Sequence, residues 1–226
     1  RQGRVSVEQL ALRFGTSHET IRRDLGALAE AGRVLKVHGG AKLPRQQEEG
    51  PFRERMAMNA VGKRIIAEKA ARLISPGQTL FIDTGSTTLM CAEEIGKIGG
   101  LTVITNSTRI AAVLASVFLL GGQFDGDNHE TAGPAAIAGI QSFHADHALI
   151  TIGALDEAAG ATDYNYDEAQ VARAMLDNAE NLVVVADASK FQRRAAFAVC
   201  PLNRINALVT DRRPQGTLLS ALSAAG

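Results

Sequence analysis

Tryptophan is absent from this sequence, and aromatic residues of all kinds make up only 4% of it. A sugar-stacking cleft walled by rings is therefore disfavoured. No apolar run approaches the ~20 residues that a membrane-spanning helix needs, so no membrane partner is expected. Only two cysteines occur, Cys91 and Cys200, far apart and outside any CxxC pattern. That usage fits a reduced, cytoplasmic chain with structural thiols. No basic-then-apolar leader opens the chain, so nothing indicates secretion. HExxH, GxGxxG and Walker A patterns are all missing. His129 with Glu130, and His144 with Asp146 and His147, are the only metal-like groupings, and they lack zinc spacing. No cofactor, no metal and no catalytic residue is expected, because no Ser-His-Asp or Cys-His arrangement can be assembled. An excess of one charge is also missing: 24 basic residues balance 24 acidic ones.

What is present is 226 residues, 46% of them apolar, enough for a small domain plus a larger one. The zero net charge hides a split. Residues 1–45 carry nine Lys/Arg against four Asp/Glu, whereas the remainder carries fifteen against twenty. A basic module suited to a polyanion is thus joined to an acidic body.

The basic module reads clearly. Ser6-Val7-Glu8-Gln9 is a capping box, followed by Val7, Leu10, Ala11 and Phe14 at helical spacing. Gly15 ends that helix, and Thr16-Ser17 offers a second N-cap at once. Ile21, Leu25, Leu28 and Ala29 then form a second stripe, closed by Gly32. Two short amphipathic helices joined by a glycine turn make a helix-turn-helix. The opposite face of the second helix carries Glu19, Thr20 and Arg23, with Arg22 at the flank; this is the region that enters the major groove in such proteins, and Ser17 and His18 join it as candidate contacts. After Gly32 the period becomes two, and Gly39-Gly40 permits a hairpin. This is the pattern of a wing, with Lys36, His38 and Lys42 placed toward DNA phosphate or the minor groove.

Residues 45–60 have the polar, Pro- and Gly-punctuated composition of a linker between a DNA-binding domain over 1–44 and a body over 61–226. Within it, Phe52 and Met56 could dock on the body. In the body, Ile65, Ile66, Ala70 and Leu73 suggest a helix ended by Ser75-Pro76-Gly77. Strands are expected over 79–82, 101–105, 117–120, 148–152, 182–186 and 207–210, with helices around 87–95, 107–115, 134–142, 168–178 and 217–224. Near-continuous apolar strands alternating with helices predict an α/β fold with a mostly parallel open sheet. Only Ala115-Ser116 separates the third strand from the preceding helix, an unusually short join that suggests missing residues.

Polar and glycine residues gather just after these strands, where ligands sit in open α/β sheets. The loop Asp83-Thr84-Gly85-Ser86-Thr87-Thr88 opens a helix and suits a phosphate or another anion. The same residues also read as a hydroxyl-rich helix cap. Asp163 to Glu168 could accept sugar hydroxyls or simply cap the next helix. Lys190 could balance a phosphate charge or be a solvated loop lysine.

Two sets of blocks make the chain resemble one family. Val5-Ser6-Val7-Glu8-Gln9-Leu10-Ala11, Thr20-Ile21-Arg22-Arg23-Asp24-Leu25 and His38-Gly39-Gly40-Ala41 resemble the DNA-binding domain of the DeoR family of bacterial sugar-metabolism regulators. Its first helix would precede Arg4. Phe81 to Thr88, Val103 to Ser107, Leu120-Gly121-Gly122, Glu168 to Val171 and Ala186 to Phe191 resemble its effector domain. The resemblance implies a winged helix-turn-helix joined to a domain similar to ribose-5-phosphate isomerase. It also implies a repressor that binds operator DNA and a phosphorylated sugar or polyol such as glycerol 3-phosphate. The implied effector residues are Asp83, Gly85, Ser86, Thr87, Thr88, Asn106, Glu168 and Lys190, and a homo-oligomer is expected. The competing reading is a sugar-phosphate isomerase in which Asp83, Glu168 and Lys190 move protons; the basic winged module argues against it.

Overall fold

The computed structural model describes residues 4–30, 34–37, 39–42 and 50–226. They divide into two compact units that meet between Asn59 and Ala60.

The first unit opens with strand β1 (Arg4–Ser6), then helices α1 (Val7–Phe14) and α2 (His18–Glu30), and a hairpin of β2 (Leu35–Val37) and β3 (Gly40–Lys42). The capping box forms as expected: Gln9 N donates to Ser6 Oγ at 3.1 Å, and the Gln9 side chain accepts from Ser6 N at 3.3 Å. Gly15 adopts the left-handed conformation, φ 61°, that a side chain would resist. Val7, Ala11, Ile21, Leu25 and Ala41 form the small core. β1 was not foreseen; it pairs antiparallel with β3, giving the order β1-β3-β2. A helix, α3 (Phe52–Ala57), lies inside the stretch read from composition as linker. Phe52 is buried, with the Arg55 guanidinium over its ring.

The second unit begins with α4 (Ala60–Ala71), β4 (Thr79–Ile82), α5 (Ser86–Ile95), β5 (Thr102–Thr105), α6 (Thr108–Val113) and β6 (Phe118–Leu119). A hairpin of β7 (Gln123–Asp125) and β8 (Glu130–Ala132) follows, then α7 (Pro134–Ile140), β9 (Ala145–Ile150), β10 (Ala154–Asp156) and β11 (Gly160–Asp163). The chain continues through α8 (Tyr166–Asp177), β12 (Ala179–Val185), β13 (Phe197–Cys200), β14 (Ala207–Val209) and α9 (Gly216–Ala225).

Six strands form one parallel sheet in the order β14-β12-β9-β4-β5-β6. All six are the strands expected from apolar runs. The small antiparallel sheet β10-β11-β13 and the β7-β8 hairpin were not foreseen. Successive strand residues face opposite ways. Phe81, Ile104, Ala148, Ile150, Leu182 and Val184 pack in one core with Ile140, Met175 and Leu218. Leu80, Ile82, Leu149, Val183 and Val185 are buried on the other face. Helix α4 turns Lys63, Ile66, Ala67 and Ala70 inward, while Ile65 and Leu73, assigned to its apolar stripe from sequence, are largely exposed. The short join before β6 spans 114–117, and β6 itself is only two residues long.

The sheet contains one reversal of strand order. From β4 the chain moves outward to β5 and β6, then returns to the other side of β4 with β9, followed by β12 and β14. The order reverses between β4 and β9, and ligands of open α/β sheets bind outside the carboxyl ends of the strands at that reversal.

Candidate nucleic-acid interface and effector site

In the first unit, Ser17 caps α2: Thr20 N donates to Ser17 Oγ at 3.1 Å, and the Ser17 and Thr20 hydroxyl oxygens are 3.0 Å apart. With Ile21 and Leu25 buried, the helix presents His18, Glu19, Arg22 and Arg23 to solvent, with Thr20 half-buried. Arg22 reaches Glu19 at 3.6 Å one turn back. Lys36 is exposed on β2, and its Nζ lies 3.4 Å from where a Cβ on Gly26 would stand. Its ammonium therefore sits alongside α2. His38 lies outside the described residues.

In the second unit, the carboxyl ends of β4 and β9 are tied together by Asp83, whose two carboxylate oxygens accept from Thr151 N at 3.1 and 3.0 Å. Burial holds the Asp83 carboxyl well above its ordinary pKa, and the nearby acids Asp163 and Glu130 raise it further. The Thr151 N–H and the Thr88 hydroxyl act in the opposite direction. Asp163 and Glu130 are themselves buried.

Glu130 arrives on the β7-β8 hairpin. Asn106, at the end of β5, donates from Nδ2 to the Thr131 carbonyl at 3.0 Å and to Glu130 Oε2 at 3.4 Å. Asn128, in the hairpin turn, donates to Glu168 Oε1 at 3.1 Å. Glu168 lies in the first turn of α8, which Asn165 caps by accepting from the backbone of Asp167 and Glu168. The structure thus links Asp83, Asn106, Glu130, Asp163 and Glu168 into one polar, mostly buried region.

The loop from Asp83 into α5, like the Gly133 start of α7, differs from the starts of α6 and α8. Its N-cap is Gly85, which offers no side-chain cap to the first-turn N–H groups, whereas Ser107 caps α6 and Asn165 caps α8. A side chain at residue 85 would have no room, because its Cβ would stand 2.5 Å from Thr151 Cγ2 and 3.0 Å from Thr88 Oγ1. Ser86, Thr87 and Thr88 are all buried, and Thr88 Oγ1 donates to the Gly85 carbonyl at 3.2 Å. Thr84 is 4% exposed and its Oγ1 has no hydrogen-bond partner; Asn106 Oδ1, fully buried, is in the same condition. Buried polar atoms of this kind are rare unless a ligand or water completes them.

Lys190 is half-buried in a single 3-10 turn, Ala188–Lys190, capped by Asp187 after β12. That strand is separated from β4 by β9. A different lysine reaches the α5 loop. Lys63 on α4 is 4% exposed, and its Nζ donates to Ser86 Oγ at 2.8 Å. Sequence reasoning missed Lys63 and Asn128, and noticed Glu130 only in a metal-like pair with His129. For Lys63 a signal existed, a lysine in register with the buried Ile66 and Ala67, but the stripe was read about one residue out of phase.

Of the metal-like groupings, Asp146 Oδ2 accepts from Thr79 N at 2.7 Å and His147 Nε2 lies 3.1 Å from Gln78 Nε2. Among the described residues no group of three or more metal-capable side chains assembles. No described helix is long and apolar enough to cross a membrane.

Comparison with known proteins bears on both units. Residues 1–47 match the model of the DeoR-like helix-turn-helix domain, and residues 58–212 match that of the DeoR C terminal sensor domain. The chain is 32% identical over 228 residues to the glycerol-3-phosphate regulon repressor of Escherichia coli K12, covering 99% of this chain and 90% of that one. Among solved structures, eIF2B delta from Chaetomium thermophilum aligns with a TM-score of 0.51 at 16% identity, over 72% of this chain and 59% of that one. Ribose 5-phosphate isomerase A from Methanocaldococcus jannaschii aligns with a TM-score of 0.44 at 18% identity, over 59% of this chain and 55% of that one. Likeness at such identity concerns the fold alone.

Proposed function

The chain belongs to the DeoR family of DNA-binding transcriptional repressors, and we propose that a phosphorylated sugar or polyol, seated on the α5 loop, controls its hold on operator DNA. Family membership displaces the isomerase reading: the chain is a regulator and not an enzyme. The observation that carries the ligand class is the start of α5. Its N–H groups lack a side-chain cap, the loop is hydroxyl-rich, and it stands at the chain reversal beside buried carboxylates. An anion belongs at such a helix start. Asp83, grouped with the buried acids Glu130 and Asp163, suits a ligand's hydroxyls and not a further negative charge.

In this reading the phosphate rests on Gly85, Ser86, Thr87 and Thr88. The hydroxyl end turns toward Asp83, Asn106 and Glu168, and Lys190 adds positive charge from the far side. Glycerol 3-phosphate is the leading compound because a relative's name carries it. Ser17, His18, Thr20, Arg22, Arg23, Lys36 and His38 contact the operator, in a cytoplasmic homo-oligomer that reads paired half-sites. Exposed Phe118 and Leu119 on the edge strand β6 support a further subunit contact.

Thermal unfolding of the whole chain tests the ligand class. A bound effector raises the midpoint by mass action. Glycerol 3-phosphate or a sugar phosphate should raise it where the unphosphorylated parent compounds do not; equal response to both would sink the anion site.

A further inference from the structure

We infer that Thr84 and Asn106 select the effector's oxidation level: the site takes a phosphorylated polyol, whose hydroxyls donate hydrogen bonds, and rejects the matching ketone. This deepens the phosphate reading above and rests on it.

Strands β4 and β5 run parallel, with Ile82 opposite Thr105 at their ends. Residues 83–84 and 106 therefore leave the sheet side by side, at the carboxyl ends of neighbouring strands. Thr84 is 4% exposed and Asn106 is wholly buried, yet Thr84 Oγ1 and Asn106 Oδ1 have no hydrogen-bond partner. A buried polar atom left unpaired costs stability. Two of them together, beside the α5 loop, mark where a ligand's own groups complete the protein.

The hydrogen bonds of Asn106 give the sign of the missing group. Its Nδ2 donates to the Thr131 carbonyl at 3.0 Å and to Glu130 Oε2 at 3.4 Å, which uses both amide hydrogens. Turning the amide over would set its oxygen against those same two oxygens, so its neighbours fix the orientation. Oδ1 is thus held as an acceptor, and only a donor can complete it. A ligand hydroxyl donates. A ketone oxygen does not, and would oppose its lone pairs to those of Oδ1. Thr84 acts from the adjoining strand, where its hydroxyl can donate as well as accept. Valine has the same shape and no polar atom to leave unpaired, so the fold alone would favour valine at residue 84. The hydroxyl is kept at a cost to stability, as a group held ready for a ligand is.

Titration calorimetry on the whole chain, with glycerol 3-phosphate, dihydroxyacetone phosphate and inorganic phosphate as probes, tests the selection. Glycerol 3-phosphate should bind about 10- to 100-fold more tightly than the keto form of dihydroxyacetone phosphate, the size expected for leaving one buried acceptor unpaired. Thr84→Val should weaken glycerol 3-phosphate by about 10-fold and inorganic phosphate less, while its melting temperature without ligand stays level or rises. A fall of affinity and melting temperature together would assign the hydroxyl to the fold and overturn its role in selection. Equal affinity of the parent for the two three-carbon probes overturns the inference and leaves the phosphate reading standing. So does a Thr84→Val protein that binds glycerol 3-phosphate as the parent does. A parent indifferent to all three probes overturns the phosphate reading and this inference with it. Should Thr84→Val fail to fold, the side-chain carbonyl resonance of Asn106 in the parent decides: it should move on adding glycerol 3-phosphate, and an unmoved resonance overturns the assignment.

Discussion

The two units hold the groups proposed to do their work in opposite ways. The first wears them outside: Arg22, Arg23, His18 and Lys36 are exposed on a helix and a wing whose small core is wholly apolar. The second buries them: Asp83, Asn106, Glu130 and Asp163 lie under the carboxyl ends of a parallel sheet. A protein that grips a long polyanion needs charge in water, where contacts form by displacing counterions. A protein that selects a small polar molecule needs donors and acceptors removed from water, where each unsatisfied group counts heavily. Changes in the first unit should therefore alter DNA affinity and leave stability nearly untouched. Changes in the second should move stability and ligand response together.

The largest expected effects come from two glycines, one in each unit. Gly85→Val would drive a side chain into Thr151 and Thr88. Overpacking of this kind costs about 1–3 kcal/mol, and the effector response should vanish while the folded protein still binds operator DNA. Gly40→Val would press on the Val5 carbonyl and break the β1–β3 pairing. Operator binding should be lost and the body should still bind its effector. Gel-shift and calorimetric measurements on both variants check the pair; loss of both functions in either variant would show that the units do not work separately.

Arg23→Ala comes next. Its exposed side chain supports little of the fold, so melting should hardly change. A base-contacting arginine is worth about 1–3 kcal/mol in operator affinity, measured at fixed salt. Unchanged affinity would remove Arg23 from the interface.

The same contrast explains what could be read from the sequence. Capping box, glycine turn and charged helix face are local patterns, so Ser6, Gly15 and Arg22 could be placed without tertiary information. The six parallel strands were equally legible because burial on both faces writes near-continuous apolar runs such as Leu182 to Val185. β10, β11 and β13 were missed because they are three or four residues long and carry residues such as Asp156, Thr162 and Asp163. Asp83 and Asn106 stood out because they directly follow strands, and Ser86 because it opens the helix after the same loop. Lys63, Asn128 and Glu130 did not, since a helix and a hairpin distant in sequence bring them to the site.

Asp83→Asn tests the buried side by pH. The folded Asp83 carboxyl has its pKa raised above the ordinary 3.8. The folded protein thus keeps a proton that the unfolded chain gives up. Stability from this group is complete below the unfolded value and is lost as pH rises toward the folded one. Asparagine carries no charge at any pH. The variant should be more stable than the parent at neutral pH without ligand, its stability should fall less as pH rises above the ordinary carboxyl value, and its discrimination among polyols should weaken. A steeper fall in the variant would contradict the buried, proton-holding state.

The smallest expected effect is the sharpest probe of the exposed side. Arg22 reaches Glu19 at 3.6 Å, but the two side chains are 64% and 85% exposed, so water screens the pair. Exposed helix pairs three or four residues apart contribute about 0.2–0.5 kcal/mol. Arg22→Ala should thus shift the denaturation midpoint barely at all, and Glu19→Ala likewise. The two should part company on DNA. In the proposed interface Arg22 faces the groove, so its removal should weaken operator binding and flatten its salt dependence. Removing Glu19 takes away a negative charge near the same phosphates, frees Arg22 from its partner and should leave binding equal or tighter. Chemical denaturation together with affinity at two salt concentrations checks all four quantities. If both variants lost stability in step with affinity, the pair would be holding the helix together and not serving the interface.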